Sequence, residues 1–361
     1  MDIFDLCNAR VGGEKLEARV TLDETLIDLA QACDYSFSGV SEFQVPSMIP
    51  PQNYSLGLIV GGSGTGKSSL LKHFGGVSNH TWDSSKAVAS QVEPQALMRL
   101  GLSSIPSLCR PYHILSEGEK HRADIARALT LGVSVIDEFT STVHRDLART
   151  ICIGLRRWVD KNKGQRLVLA TCHKDVAEWL EPDWVFNTNT GLLVEGRSER
   201  RPLKLEIYPC SVKAWSTFSN HHYLTGKINA GARCWLGVID NKPVAFGSAL
   251  ALPHPTIKKA WREHRTVVLP DYQGMGLGSR LSNYIASLFL NEGCRYFSKT
   301  AHPAFGEYRE ASPLWVATSK NKMSRQDYLK AEGDVKYSAE LRRKNAGRFC
   351  YSHEFVGAPP N

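Results

Sequence analysis

Between residue 56 and about residue 190 of this chain, short apolar runs alternate with segments of helical period. Leu56–Val60, Val133–Ile136 and Leu167–Thr171 read as short buried strands. Lys120–Leu131 and Asp146–Asp160 repeat apolar residues every three or four positions and read as amphipathic helices. Strands alternating with helices predict a mostly parallel sheet in an α/β domain. Upstream, Ala18-Arg19-Val20-Thr21-Leu22 alternates with period two and Val45–Pro51 is broken by prolines, so strands and turns are expected there. A second alternating region begins near Leu203, after the charged stretch from Glu195 to Pro202, where we place the linker. Its candidate strands are Leu205–Tyr208, Cys234–Ile239, Val244–Ala251, Thr266–Leu269 and Tyr296–Lys299. Its candidate helices are Ser279–Asn291 and part of 304–311. The pattern therefore divides the chain into domains 1–200 and 204–361. The tail beyond 320 is charged and expected to be partly loose until Arg348–Val356.

Composition narrows the class. With 361 residues and 42% hydrophobic content, the chain can bury more than one core and is not a disordered polymer. No apolar run reaches the roughly 18–20 residues that cross a bilayer. The acidic opening Met1-Asp2-Ile3-Phe4-Asp5 lacks the basic start of a secretory leader. Nine dispersed cysteines without a CxxC pair suit reduced thiols. A cytoplasmic protein with no membrane partner is the expectation. The net charge of +8 is unevenly placed: residues 1–203 carry −2 and residues 204–361 carry +10. A basic domain attracts polyanions, nucleic acid above all, although a solvated basic surface has the same composition.

Candidate chemistry begins at Gly61-Gly62-Ser63-Gly64-Thr65-Gly66-Lys67-Ser68, followed by Ser69, between a strand and a helix. Glycines of this spacing let backbone N–H groups curl around phosphates; Lys67 neutralises their charge and Ser68 ligates Mg²⁺. Val133–Ile136 ends on Asp137 and Glu138, one carboxylate to hold Mg²⁺ through water and one to polarise the attacking water. Leu115-Ser116-Glu117-Gly118-Glu119 opens a helix and resembles the LSGGE signature of ABC-type ATPases, with Glu117 where the first signature glycine would stand. Ser116-x-x-Glu119 is equally a capping box. The same resemblance makes His173, just past a strand, the switch histidine, and Gln91 the Q-loop glutamine and a further Mg²⁺ ligand, with Gln95 a rival. It places Ser141–Arg145 at the D-loop, where His144 replaces the usual aspartate. Lys67 and Ser116 are close in sequence for this class, so the intervening helical arm is expected to be cut down.

In the basic half, Gln273-Gly274-Met275-Gly276-Leu277-Gly278 follows the strand ending at Leu269 and opens a helix. This matches the Q/R-x-x-G-x-G/A loop of GNAT-type N-acetyltransferases, whose backbone N–H groups receive the pyrophosphate of coenzyme A. A dinucleotide-binding loop would want glycine where Ser279 stands. Acyl transfer also needs a base and an acid. Glu263 or His264 is the candidate base and Tyr308 the candidate acid, with His222, Tyr223 and His302 as alternates.

Taken together, the chain resembles soluble ABC-type ATPases fused to a GNAT acetyltransferase domain, a family of prokaryotic and phage genomes. The resemblance runs through Leu102–Ser107, Asp137–Ser141, Thr171–His173, Pro182–Val185, His221–Leu224, Trp261–Thr266, Thr300–Pro303 and Ser352–Gly357. The second half is more distantly similar to Mom-type acyltransferases, which modify adenine in phage DNA. The resemblance implies an α/β P-loop ATPase domain followed by a mixed α/β GNAT-like domain. It implies ATP, Mg²⁺ and acetyl-CoA (or another acyl-CoA) as ligands. Its implied partners are nucleic acid and, since each signature loop completes another protomer's phosphate site, an ATP-dependent homodimer. An inactive GNAT-like module that only binds nucleic acid, and a protein or small-molecule acetyltransferase regulated by ATP, are the alternatives.

Overall fold

A computed structural model describes residues 10–76, 81–197, 202–222, 226–254, 256–324 and 349–357. Two compact units emerge. One comprises Met1–Ser85 and Tyr112–Arg201; the other comprises Lys86–Pro111 and Pro202–Asn361. The patterning placed a boundary at 200–204. The excursion of Lys86–Pro111 into the second unit has no mark in composition, because its short apolar helices look like any piece of an α/β domain.

The first unit begins with two antiparallel ribbons: β1 (Val11–Gly12) with β4 (Ser47–Met48), and β2 (Lys15–Arg19) with β3 (Val40–Gln44). Between β2 and β3 lies a helix the alternation did not announce, α1 (Glu24–Ala32), started by the Asp23 carboxylate accepting the Leu26 N–H. There follow β5 (Leu56–Val60) and α2 (Lys67–Leu71). The chain then leaves for the second unit, where it forms α3 (Pro94–Arg99) and α4 (Ile105–Leu108). On return it builds α5 (Glu117–Thr130), β6 (Val135–Ile136), α6 (Arg145–Lys161), β7 (Leu167–Thr171), α7 (Val176–Leu180), β8 (Trp184–Asn187) and β9 (Leu192–Glu195). The sheet order is β6-β7-β5-β8-β9, parallel except for β9 at the edge. Every residue of β5 and β7 is buried, as a parallel sheet covered on both faces requires. Gly57 lets Trp184 lie flat against β5: a Cβ there would fall 2.1 Å from the indole.

The second unit adds β10 (Glu206–Cys210), β11 (Arg233–Ile239), β12 (Lys242–Ala251), β13 (Ala260–Val268), α8 (Leu277–Asn291), β14 (Arg295–Thr300), α9 (Pro303–Ala311), β15 (Trp315–Ala317), β16 (Met323–Ser324) and β17 (Phe349–Phe355). Its sheet runs β10-β11-β12-β13-β14-β17-β15, with β16 paired to β17. All pairs are antiparallel except β13 with β14, which share ladder pairing only over Ala260–Arg262 and Arg295–Phe297. Beyond that stretch the two strands part. β13 also carries a bulge, since Ser248 pairs with Arg265 and Ala249 with Glu263, leaving His264 as the extra residue. α8 packs Leu281 and Ile285 on β12 at Gly247, and Phe289 stacks between Trp261 and Tyr296. The expected loose tail lies, over 325–348, outside the described residues, as does part of the linker.

Candidate functional site

In the first unit, β5, β6 and β7 are parallel neighbours, so their C-terminal ends gather on one edge of the sheet, where ligands bind in α/β folds. The loop after β5 closes at Gly61, where a Cβ would strike the Thr188 hydroxyl at 1.9 Å. Gly64 and Gly66 take positive φ of 74° and 84°, which glycine adopts freely. Gly66 caps α2 in that conformation. Thr65 Oγ1 donates to Gly62 O (2.9 Å) and pairs with Thr188 Oγ1 (2.6 Å), while Gly62 N–H donates to Asn189 Oδ1 (2.8 Å). Lys67 is buried with its ammonium over the loop, donating to Gly62 O at 2.7 Å. Ser63 and Ser68 are exposed and Ser69 half-buried. A glycine ring with a lysine folded across it fits a polyphosphate.

The carboxylate pair follows β6. Glu138 holds a left-handed backbone (φ 50°), a strained conformation for a non-glycine residue, and its N–H donates to Asp137 Oδ1 at 2.9 Å. Beyond β7, His173 Nδ1 meets Thr140 Oγ1 at 3.1 Å, and Thr140 bonds Thr171 at 2.8 Å, so the histidine is tied to the loop that carries the carboxylates. Ser116 caps α5: the Glu119 carboxylate accepts the Ser116 N–H (2.9 Å) and hydroxyl (3.0 Å). Gly118 is demanded by packing, because a Cβ would meet Leu147 at 2.6 Å. His144, the departure at the D-loop position, caps α6 by accepting the Leu147 N–H at 3.4 Å. Gln91 falls in the second unit, where its Nε2 donates to Lys86 O at 3.0 Å.

In the second unit the glycine loop opens α8. Gly274 and Gly276 have φ of 89° and 76°; Gly276 is exposed and caps the helix. The first N–H groups of α8 have no intrahelical acceptor and face outward from the helix start. Gln273 anchors the loop: its Nε2 donates to Val268 O (2.9 Å) and its Oε1 accepts the Ser103 hydroxyl (2.7 Å). Gly278 leaves room for the Phe305 ring, 3.1 Å from where a Cβ would sit. A cleft of about 360 Å³ opens on this loop, lined by Gln273, Gly274, Gly276, Gly278, both ends of the parted strands, and Met98, Ser103 and Ile105 from the inserted segment. A second cleft of about 850 Å³ shares Glu263, His264, Arg265 and Lys299 with the first and adds Arg262 and Lys320. In its lining Arg295 is paired with Glu354, and Glu263 with Arg309.

The acid–base candidates separate. Glu263 is mostly buried, its side chain 10% exposed, and fully engaged. Its Oε1 accepts from Thr266 (2.7 Å) and Ser282 (2.9 Å), and its Oε2 from Ser298 (2.6 Å) and Arg309 (2.7 Å). Burial pushes its carboxyl up, but Arg309 and the three hydroxyls outweigh that and hold it below its ordinary range. Its two oxygens are thus held by four donors, an arrangement that suits a counter-ion to Arg309 more than the expected base. Tyr308 is in the lining of neither cleft, and its hydroxyl accepts from Asn283 Nδ2 at 2.7 Å. His264 lines both clefts. Burial, reinforced by Arg265 and Arg262, lowers its pKa to about 4, and its Nε2 accepts the Asn229 N–H at 3.3 Å. His222 is likewise lowered to about 4, by burial and then Arg265 and His264. His302 lines the first cleft; Nε2 donates to Ser103 O at 3.1 Å, while Nδ1 is buried without a partner. Tyr223 lies outside the described residues. Ser103, Arg262, Lys299 and Lys320 were not among the site residues expected from sequence, because residue type alone does not show that they line a cleft.

A glycine loop with a lysine across it, a carboxylate pair and a tethered histidine gather on one sheet edge of the first unit. A glycine loop at a long helix start, beside two parted parallel strands, makes the second a GNAT-type domain. Comparison agrees for the second: residues 200–309 match the family model of the acetyltransferase (GNAT) family. No curated protein matches the chain. Among solved structures, the ATP-binding cassette MJ0796, a post-hydrolysis dimer bound to ADP and Pi, is 13% identical and similar over 52% of this chain and 99% of its own (TM-score 0.38). A GNAT-family acetyltransferase of Desulfovibrio desulfuricans is 12% identical over 43% of this chain and 100% of its own (TM-score 0.31). A Bacillus subtilis acetyltransferase in complex with CoA is 8% identical over 44% and 100% (TM-score 0.30). No helix among the described residues is long and apolar enough to cross a membrane.

Proposed function

We propose that the chain is an ATP-dependent N-acyltransferase that acylates an amine of a nucleic acid. The observation that carries the reading is the helix-opening glycine loop on a cleft that shares Glu263, His264, Arg265 and Lys299 with a second cleft, to which Arg262 and Lys320 also contribute. Such a lining suits phosphates of a strand, in a half of the chain carrying +10. Acyl-CoA supplies a thioester whose carbonyl carbon the acceptor amine attacks; the C–N bond forms, the C–S bond breaks, and the thiolate leaves. The N–H groups at the start of α8 hold the donor's pyrophosphate. The exposed backbone edges of 263–268 and 298–300, which lack ladder partners on the parted side, receive its amides. The proton lost by the amine passes to water in the cleft, and His264, at the β13 bulge, stays neutral near pH 7 in the lining of both clefts.

The first unit binds ATP at Lys67, with Ser68 and Asp137 holding Mg²⁺. It hydrolyses ATP using Glu138, with His173 beside the γ-phosphate. Head-to-tail pairing of two copies, each Ser116–Gly118 turn meeting its partner's Lys67 loop, completes that site. The test is mass spectrometry of nucleosides from cells expressing the protein, against a Gly276→Asp control. The reading predicts an acyl mass increment on one nucleoside that is lost in the control. Unmodified DNA and RNA in both would contradict it.

A further inference from the structure

The inserted segment 86–111 leaves the first unit after Ser85 and returns at Tyr112. Its two stems are pinned together. Trp82 and Tyr112 stack with ring centroids 4.8 Å apart and planes within 9°, and Arg127 lies over the indole at 4.5 Å. Trp82 Nε1–H and the Tyr112 hydroxyl donate to the two oxygens of one carboxylate, Asp124, at 2.8 and 2.7 Å. Asp124 stands on α5. One turn earlier on that helix, His121 Nε2 donates to Phe139 O at 2.7 Å, the residue next to Glu138. Just beyond the stems, the Val88 N–H donates to Arg110 O (2.9 Å), closing the base of the segment.

The far end of the segment is built into the donor cleft. The Ser103 hydroxyl holds Gln273, and its carbonyl accepts from His302, fixing the tautomer that leaves Nδ1 a lone pair in the cleft. The Gly101 backbone lies 2.9 Å from where a Gly274 Cβ would sit, so the glycine loop fits against this segment with no clearance for a side chain. The loop is thus partly covered, although Gly276 at the helix start is open. Hydrogen bonds and a ring stack thus hold the stems within the first unit, and Ser103 holds Gln273 within the second.

We propose that segment 86–111 is a wall of the acyl-donor site that carries the state of the nucleotide site to it, so that ATP bound at Lys67 changes the affinity for acyl-CoA. This rests on the donor-site reading above. Reciprocity follows: whatever factor ATP imposes on coenzyme A, coenzyme A imposes on ATP.

The experiment is calorimetric titration of coenzyme A into the full-length protein, with and without a non-hydrolysable ATP analogue and Mg²⁺. The wild type is expected to change its Kd for coenzyme A by about fivefold or more. Asp124→Asn, which weakens the clamp on both stems, is expected to bring that change below twofold while both ligands still bind. Should Asp124→Asn fold poorly, Tyr112→Phe keeps the stack and removes one clamp bond, and is expected to reduce the change at least by half. Ser103→Ala is expected to weaken coenzyme A about fivefold without nucleotide, the effect of one lost hydrogen bond. A wild-type change below twofold, or the full change retained in Asp124→Asn or Tyr112→Phe, overturns the coupling while the donor site stands. Coenzyme A failing to bind under any condition overturns the donor site itself.

Discussion

Glu263 keeps a charge inside the second unit because four donors converge on it, three of them hydroxyls and the fourth the buried Arg309. Removing one partner of such a pair leaves the other unpaired at low dielectric, a loss of about 3–5 kcal/mol. Glu263→Gln should therefore lower unfolding free energy by about 3 kcal/mol in urea titrations while leaving coenzyme A binding within a fewfold of wild type. Unchanged stability with acyl transfer abolished would restore Glu263 as a base. Residue identity made this glutamate look catalytic. Apart from Thr266, three positions on, its partners sit 19, 35 and 46 positions away, and no local pattern encodes them. By contrast the Gly61–Ser68 and Gln273–Gly278 loops were legible, because positive φ and absent Cβ atoms are local demands that the sequence writes as glycine.

At the scale of elements, the β13 bulge decides which histidine faces both clefts. His264 on that bulge and His222 opposite it are each lowered to about 4, whereas both titrate near 6.5 in an unfolded chain. Between those values the unfolded chain takes up protons that the folded chain refuses. Their contribution to stability is therefore complete above pH 6.5 and drains away as pH falls towards 4. Melting temperature should drop across pH 6.5 to 4.5, and His264→Gln should flatten that slope. A wild-type slope of zero, or an identical slope in the variant, would contradict the burial of these rings. Glu310, held at about 2 by Lys322, Asn321 and His353, keeps its own contribution through this window. Helices and strands with strong periods were legible: β5, β7, α6 and α8 lie where patterning put them to within a few residues. α1 was not, because none of its residues is buried and its apolar positions therefore carry no core signal. β13 was foreshortened because Arg262–Arg265 is polar, facing clefts rather than a core.

On the scale of the whole molecule, two glycine loops stand in one chain, each opening a helix after a strand. The halves that carry them differ in charge, with −2 on residues 1–203 and +10 on residues 204–361. The split was legible, and so was the order of motifs. The assignment of Lys86–Pro111 to the second unit was not, since it depends on which surface a short, weakly patterned segment finds after folding. Equilibrium binding of an ATP analogue and of coenzyme A to the wild type, Lys67→Ala and Gly276→Asp tests the two-cradle account most directly. One site for each ligand per chain is the predicted result, with Lys67→Ala losing only the nucleotide and Gly276→Asp losing only coenzyme A. A wild type that binds only one of the two ligands, or a single substitution that abolishes both, would contradict it.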